Sequence, residues 1–129
     1  MLRLRSNVEL VNLTRDYDRI VPERDVLASV LALLERHPAV GNVWRNNRGK
    51  HRIQNADGTS RWIAYGGPPG ASDIIGYLQT GGILAVECKR KGERPTAEQQ
   101  KFLDGVNATA GGLGFVARSV DDVMKALPR

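Results

Sequence analysis

Residues 81–92 read GGILAVECKRKG: an apolar run leaves a glycine pair and then carries Glu87 and Lys89 in mid-strand. Buried ions are costly unless they are paired or hold a metal. Residues two apart on a strand share a face, so Glu87 and Lys89 point the same way, roughly 7 Å apart at a rise of ~3.3 Å per residue. The run DIIGYLQ precedes this strand, joined to it through Thr80, Gly81 and Gly82, and the pair reads as a hairpin. Folding it about Thr80 and Gly81 sets Leu78 against Ile83 and Asp73 against Cys88. A turn one residue longer sets Asp73 against Glu87. In either register two carboxylates stand within a rung of each other.

Two helical patterns each bring one more polar group. Glu23 is followed by Val26, Leu27, Val30 and Leu34, and Gln99 by Phe102, Leu103, Val106 and Ala110, at offsets that put each polar residue at the mouth of an apolar stripe. Plainer explanations exist for every one of them. Glu23 suits a helix N-terminus, and Gln99 completes the capping box Thr96-x-x-Gln99. Asp73, Glu87 and Lys89 taken alone also fit a surface ion pair on an edge hairpin. Together they fit metal-assisted phosphodiester cleavage: oxygen ligands suit Mg²⁺ or Mn²⁺, and a cation beside them orients or deprotonates water or stabilises phosphate charge. The backbone carbonyl of Cys88 is a further candidate ligand, with the thiol structural.

The elements that must position these groups follow from periodicity and punctuation. A helix is expected from Pro22 to about His37, and a strand over Val40–Arg45. A polar, basic excursion then runs through Gly58, with a hairpin-like NADGTS. The short strand RWIAY leads to the loop GGPPGAS and the hairpin described above. PTAEQQKFLDGVNATAGG reads as a capped helix ending at glycines, LGFVAR as a strand, and SVDDVMKALP as a last helix begun by Ser119-x-x-Asp122. This order implies an α/β or α+β domain with a mixed sheet flanked by helices. Residues 1–21 carry no clean period and are expected to form an N-terminal arm, with 22–129 a single domain.

Composition narrows the partners. The chain has 129 residues, a net charge of +5 and one cysteine, so no intrachain disulfide and no cysteine cage can form. No apolar run reaches the ~20 residues that span a bilayer, and MLRLRSNVEL lacks the apolar stretch of a signal peptide, so a cytoplasmic location is expected. Arg45, Arg48, Lys50 and Arg52 form one basic cluster and Lys89, Arg90, Lys91 and Arg94 another, flanking the candidate site as phosphate-binding groups would. His37 and His51 are too few and scattered for a histidine-based nuclease, and GGPPG precedes a strand where a phosphate loop should open a helix.

On GASDIIG, AVECKRKGERPTAEQQKFL and GGLGFVAR, with PERDV and WRNNRG upstream, the chain resembles the PD-(D/E)xK nuclease superfamily and, within it, the VRR-NUC (virus-type replication-repair nuclease) family. The resemblance spans most of residues 22–127. It implies a restriction-endonuclease-like α/β core, with Asp73, Glu87 and Lys89 as the defining catalytic triad. It also matches Gln99 to the glutamine of the next helix and Glu23 to the acidic residue of the first, Glu23 being preferred over Asp25. Ser72 stands where the superfamily's name expects proline. Implied too are metal ligation by Glu23, Asp73, Glu87 and Cys88, and DNA contacts from Arg45, Arg48, Lys50, Arg52 and Arg90. Stand-alone viral members resemble homodimeric, structure-specific endonucleases acting on branched DNA, including four-way junctions, in replication, repair and recombination. The competing expectation is a nucleic-acid-binding module that keeps the fold without catalysis.

Overall fold

An amphipathic helix, α1 (Glu23–Arg36), opens the part of the chain that the structure, a computed structural model, describes: residues 21–128. The expected N-terminal arm therefore lies outside the described residues apart from Val21, as does Arg129. Six strands and two more helices follow: β1 (Val40–Arg45), β2 (Gly49–Gln54), β3 (Ser60–Tyr65), β4 (Ile74–Leu78), β5 (Ile83–Cys88), α2 (Ala97–Ala108), β6 (Leu113–Ala117) and α3 (Val120–Ala126). The result is an α/β fold with a mixed four-stranded sheet in the order β1-β4-β5-β6 and a separate β2–β3 hairpin. Among the described residues no helix is long and apolar enough to cross a membrane.

β5 is the central reason the sheet exists. Five of its six residues are buried, because both faces are covered. Leu84, Val86 and Cys88 point into a core shared with Val26, Val30 and Leu34 of α1 and Val123 of α3. Ala85 faces Leu103 and Val106 of α2. The α1 contributors recur at i, i+4 and i+8, the spacing of one helical face, and burial of each such side chain contributes roughly 1.5–3 kcal/mol. β5 pairs antiparallel with β4 and parallel with β6, so α2 is the crossover that a parallel pair requires.

The β4–β5 register follows the longer of the two turns. Tyr77 opposes Ile83 and Ile74 opposes Val86, which continues to Asp73 opposite Glu87. The Gly81 amide donates to the Leu78 carbonyl at 2.9 Å and the Leu78 amide to the Gly82 carbonyl at 2.8 Å, closing a three-residue loop. Gly81, at φ +96°, takes the left-handed position such loops need. The tighter register is thus corrected: a glycine tolerates the positive φ that turns the longer loop into a bulged hairpin.

Two local readings also change. Pro22 precedes α1 as its extended N-cap residue and is not part of the first turn. Residues 49–54, read as a polar excursion, form strand β2 along β3. Apolar alternation could not announce it, because both sides of this hairpin face solvent.

Candidate metal and nucleic-acid site

The end of β5 carries the site. Alternation turns Glu87 away from the α1 core, and it is only 2% exposed. Its Oε2 has no hydrogen-bond partner. The Lys89 Nζ, on the same strand face and with its side chain 12% exposed, lies 4.0 Å from Glu87 Oε1. Asp73 precedes β4, and its Oδ2 accepts from the Cys88 amide at 2.9 Å. That bond fixes the carboxylate against the last residue of β5. Glu23 arrives from the first turn of α1, and one carboxylate oxygen from each of Glu23, Asp73 and Glu87 lies within 4.8 Å of the others.

Three carboxylates in so small a volume repel one another, and a single ammonium cannot neutralise them. Burial first, then the charge of Asp73 and its hydrogen bond, push the Glu87 pKa up to about 8, while Lys89 pulls it down and Glu23 adds to the rise. Burial, with the same three acids, pushes the Cys88 thiol up to about 12. That thiol sits in the core, uncharged and unfit as a ligand, as the sequence reading expected for its sulfur.

The loop before Asp73 is tied down from two directions. Asn46 donates from Nδ2 to the carbonyls of Gly66 (2.8 Å) and Ser72 (3.2 Å), and its amide donates to the Asp73 carbonyl at 2.7 Å. Arg48 Nη1 donates to the Ala71 carbonyl at 3.0 Å. On the other side, Gly70 lies so close to the first turn of α2 that a Cβ would overlap the Glu98 carbonyl. Ser72, in the position where proline was the expectation, is fully buried with its Oγ unpartnered.

The structure thus brings together Glu23, Asp73, Glu87 and Lys89, with Cys88 between the acids. Asp25 points elsewhere, beside Arg24, so Glu23 is the acid of α1 that reaches the group. Gln99 is used locally: its Oε1 accepts from the Thr96 amide at 2.8 Å and the Thr96 hydroxyl accepts from the Gln99 amide, a complete capping box. Among the basic residues, Arg45 ends β1 opposite Ile74. Arg48 anchors the Asp73 loop, Lys50 and Arg52 stand on the hairpin, and Arg90 is held by Glu93 through Nε at 2.7 Å. His37 caps α1 and accepts from the Ala39 amide through Nδ1.

Sequence reasoning missed Asn46 and Arg118 as positioning residues and read Arg48 as a DNA contact, where its Nη1 instead anchors the loop before Asp73. Arg118 donates through Nε and Nη2 to the Glu93 carbonyl (3.0 and 2.6 Å), tying the turn after Lys89 to the start of α3. No local signal marks such long-range bonds. Two clefts, of about 510 and 590 Å³, lie by Asp25 and Arg118 and by Pro68 and Phe102. Glu23, Asp73 and Glu87 line neither of them. Comparison of the chain with protein-family models, with curated proteins and with solved structures finds no match.

Proposed function

We propose that this protein is a divalent-metal-dependent DNA endonuclease with a restriction-endonuclease-like core, of the VRR-NUC type, hydrolysing phosphodiester bonds in branched DNA. The observation that carries the reading is Glu87: a fully enclosed carboxylate with one oxygen unpartnered, crowded by Asp73 and Glu23, with Lys89 on its own strand face. A structural ion pair would not need three acids. The donor set is all oxygen, which fits Mg²⁺ or Mn²⁺ better than softer ions, and the Cys88 carbonyl offers one more oxygen. When bound, such an ion supplies Lewis acidity, polarising a phosphoryl oxygen and making a water more acidic.

The protein's own groups then have distinct tasks. Asp73 and Glu87 hold negative oxygens in place, the first through its bond from the Cys88 amide. Lys89 provides a positive Nζ beside them, where it orients water and offsets charge growing on phosphate. Gln99 contributes through the helix it caps, since the N-terminus of α2 buttresses Gly70 and the loop that delivers Asp73. Arg45, Lys50 and Arg52 supply positive charge along the strand's approach. A homodimer belongs to the reading; Trp44, Tyr77 and Ile83, all exposed on the sheet face that α2 leaves uncovered, support it.

The test is cleavage of end-labelled duplex, flap and four-way-junction DNA with Mg²⁺ or Mn²⁺. The expected result is metal-dependent cutting of a branched substrate, abolished by Glu87→Gln. Tight DNA binding without cleavage of any substrate would overturn the nuclease reading in favour of a binding module.

A further inference from the structure

The β2–β3 hairpin is a structural anomaly. Every residue of β3 is exposed, and on β2 only Gly49 and Ile53 are half-buried. Isolated two-stranded hairpins are marginal in water, and this one presents Trp62, 67% exposed, with Ile63 and Tyr65. Directly opposed residues share a face: Arg52 stands against Trp62, and Lys50 lies two residues along the same side. Arg61 adds a third cation within residues 49–65. The single acid there, Asp57, is engaged by the amide and hydroxyl of Thr59 in the hairpin turn, at 2.9 and 2.6 Å.

The hairpin's root is joined to the acidic site. Tyr65 opposes Gly49 at the base, and the neighbouring Asn46 and Arg48 bond directly to the main chain of residues 71–73. Six residues per strand give an arm of ~20 Å, with Trp62 about 10 Å from its root.

We infer that the β2–β3 hairpin is a strand-engaging arm in which Trp62 stacks on an unpaired base while Lys50 and Arg52 hold the flanking phosphates. This rests on the DNA reading for its partner class and adds the form of DNA: strands with unstacked bases, as at a flap or junction. An exposed indole beside two cations suits a base and its phosphates, because every base offers a π-face and each phosphate a charge. A second copy of the hairpin would instead set its cations against like charges.

The test measures fluorescence anisotropy of labelled single-stranded, flap and blunt duplex DNA in EDTA, with wild type, Trp62→Ala and Trp62→Phe. Trp62→Ala is expected to weaken single-strand and flap binding about tenfold and blunt duplex binding less than about twofold, with Trp62→Phe retaining most of the affinity. Equal affinities for Trp62→Ala and wild type, or the same loss on blunt duplex, would overturn the inference. So would conversion of a dimer to a monomer by Trp62→Ala in sedimentation, which would assign the face to a second copy. Trp62 is exposed, and circular dichroism verifies that both variants fold. With no metal present cleavage plays no part, so a failure to cut DNA in Mg²⁺ or Mn²⁺ would reject the nuclease reading and leave this result standing.

Discussion

Replacing Glu87 by Gln should make the metal-free protein more stable while removing its response to divalent ions. Glu87 titrates near 8 when folded against an ordinary 4.5, so between these values the folded state holds a proton that the unfolded state has released. Stability is therefore full below pH 4.5, falls as pH rises, and levels off above 8. The difference corresponds to roughly 3–4 kcal/mol by pH 7.5. Gln keeps the shape, removes the charge and offers an amide donor toward Asp73. Imperfect pairing of that amide returns about 1–3 kcal/mol, leaving a net gain of about 0–3 kcal/mol at pH 7.5.

Urea unfolding in EDTA from pH 5 to 8.5 measures this directly. The wild type should weaken steadily with pH and the variant much less. Adding Mn²⁺ or Mg²⁺ at about ten times its dissociation constant should stabilise the wild type by about 1.4 kcal/mol and the variant hardly at all. A wild-type profile that is flat or rises over this range would refute the reasoning. So would a variant less stable than wild type at pH 7.5 without metal.

Lys89→Ala should retain metal-induced stabilisation yet lower single-turnover cleavage by about 10²–10⁴, and an active variant would remove Lys89 from the mechanism. The same change takes away the charge that pulls the Glu87 pKa down, so the loss of stability should begin at the same pH but extend to higher pH. Gly70→Ala combines φ +83° with overlap on the Glu98 carbonyl and should cost about 2–4 kcal/mol in a urea titration, with a weaker metal response. Gly58→Ala, at φ +85° with open space around it, is the control and should cost about 1–2 kcal/mol.

Much of the architecture could be read along the chain because it rests on local rules. The apolar spacing of Val26, Val30 and Leu34 defines α1, and Thr96 with Gln99 defines the start of α2. Period-two alternation puts Glu87 and Lys89 on one face whatever the sheet around them. These depend on backbone geometry over a few residues, which residue type controls. β2 escaped the same logic: with solvent on both sides, nothing selects an alternating pattern, and the cross-strand pairing to β3 alone defines it.

Sequence by itself determined the helices, the β4–β5 hairpin and the shared face of Glu87 and Lys89, and it nominated Asp73 and Glu23 as their companions. Tertiary structure alone decided how those acids meet. The bulged loop at Gly81 chose between two registers one residue apart, and α1 carried Glu23 to within 4.8 Å of residues at least fifty positions away. It also decided that Gln99 serves its own helix cap and that Asn46, Arg48 and Arg118 hold the surrounding loops. The reason is physical: packing and long-range hydrogen bonds depend on which surfaces are pressed together, and a chain written in order carries no record of that adjacency.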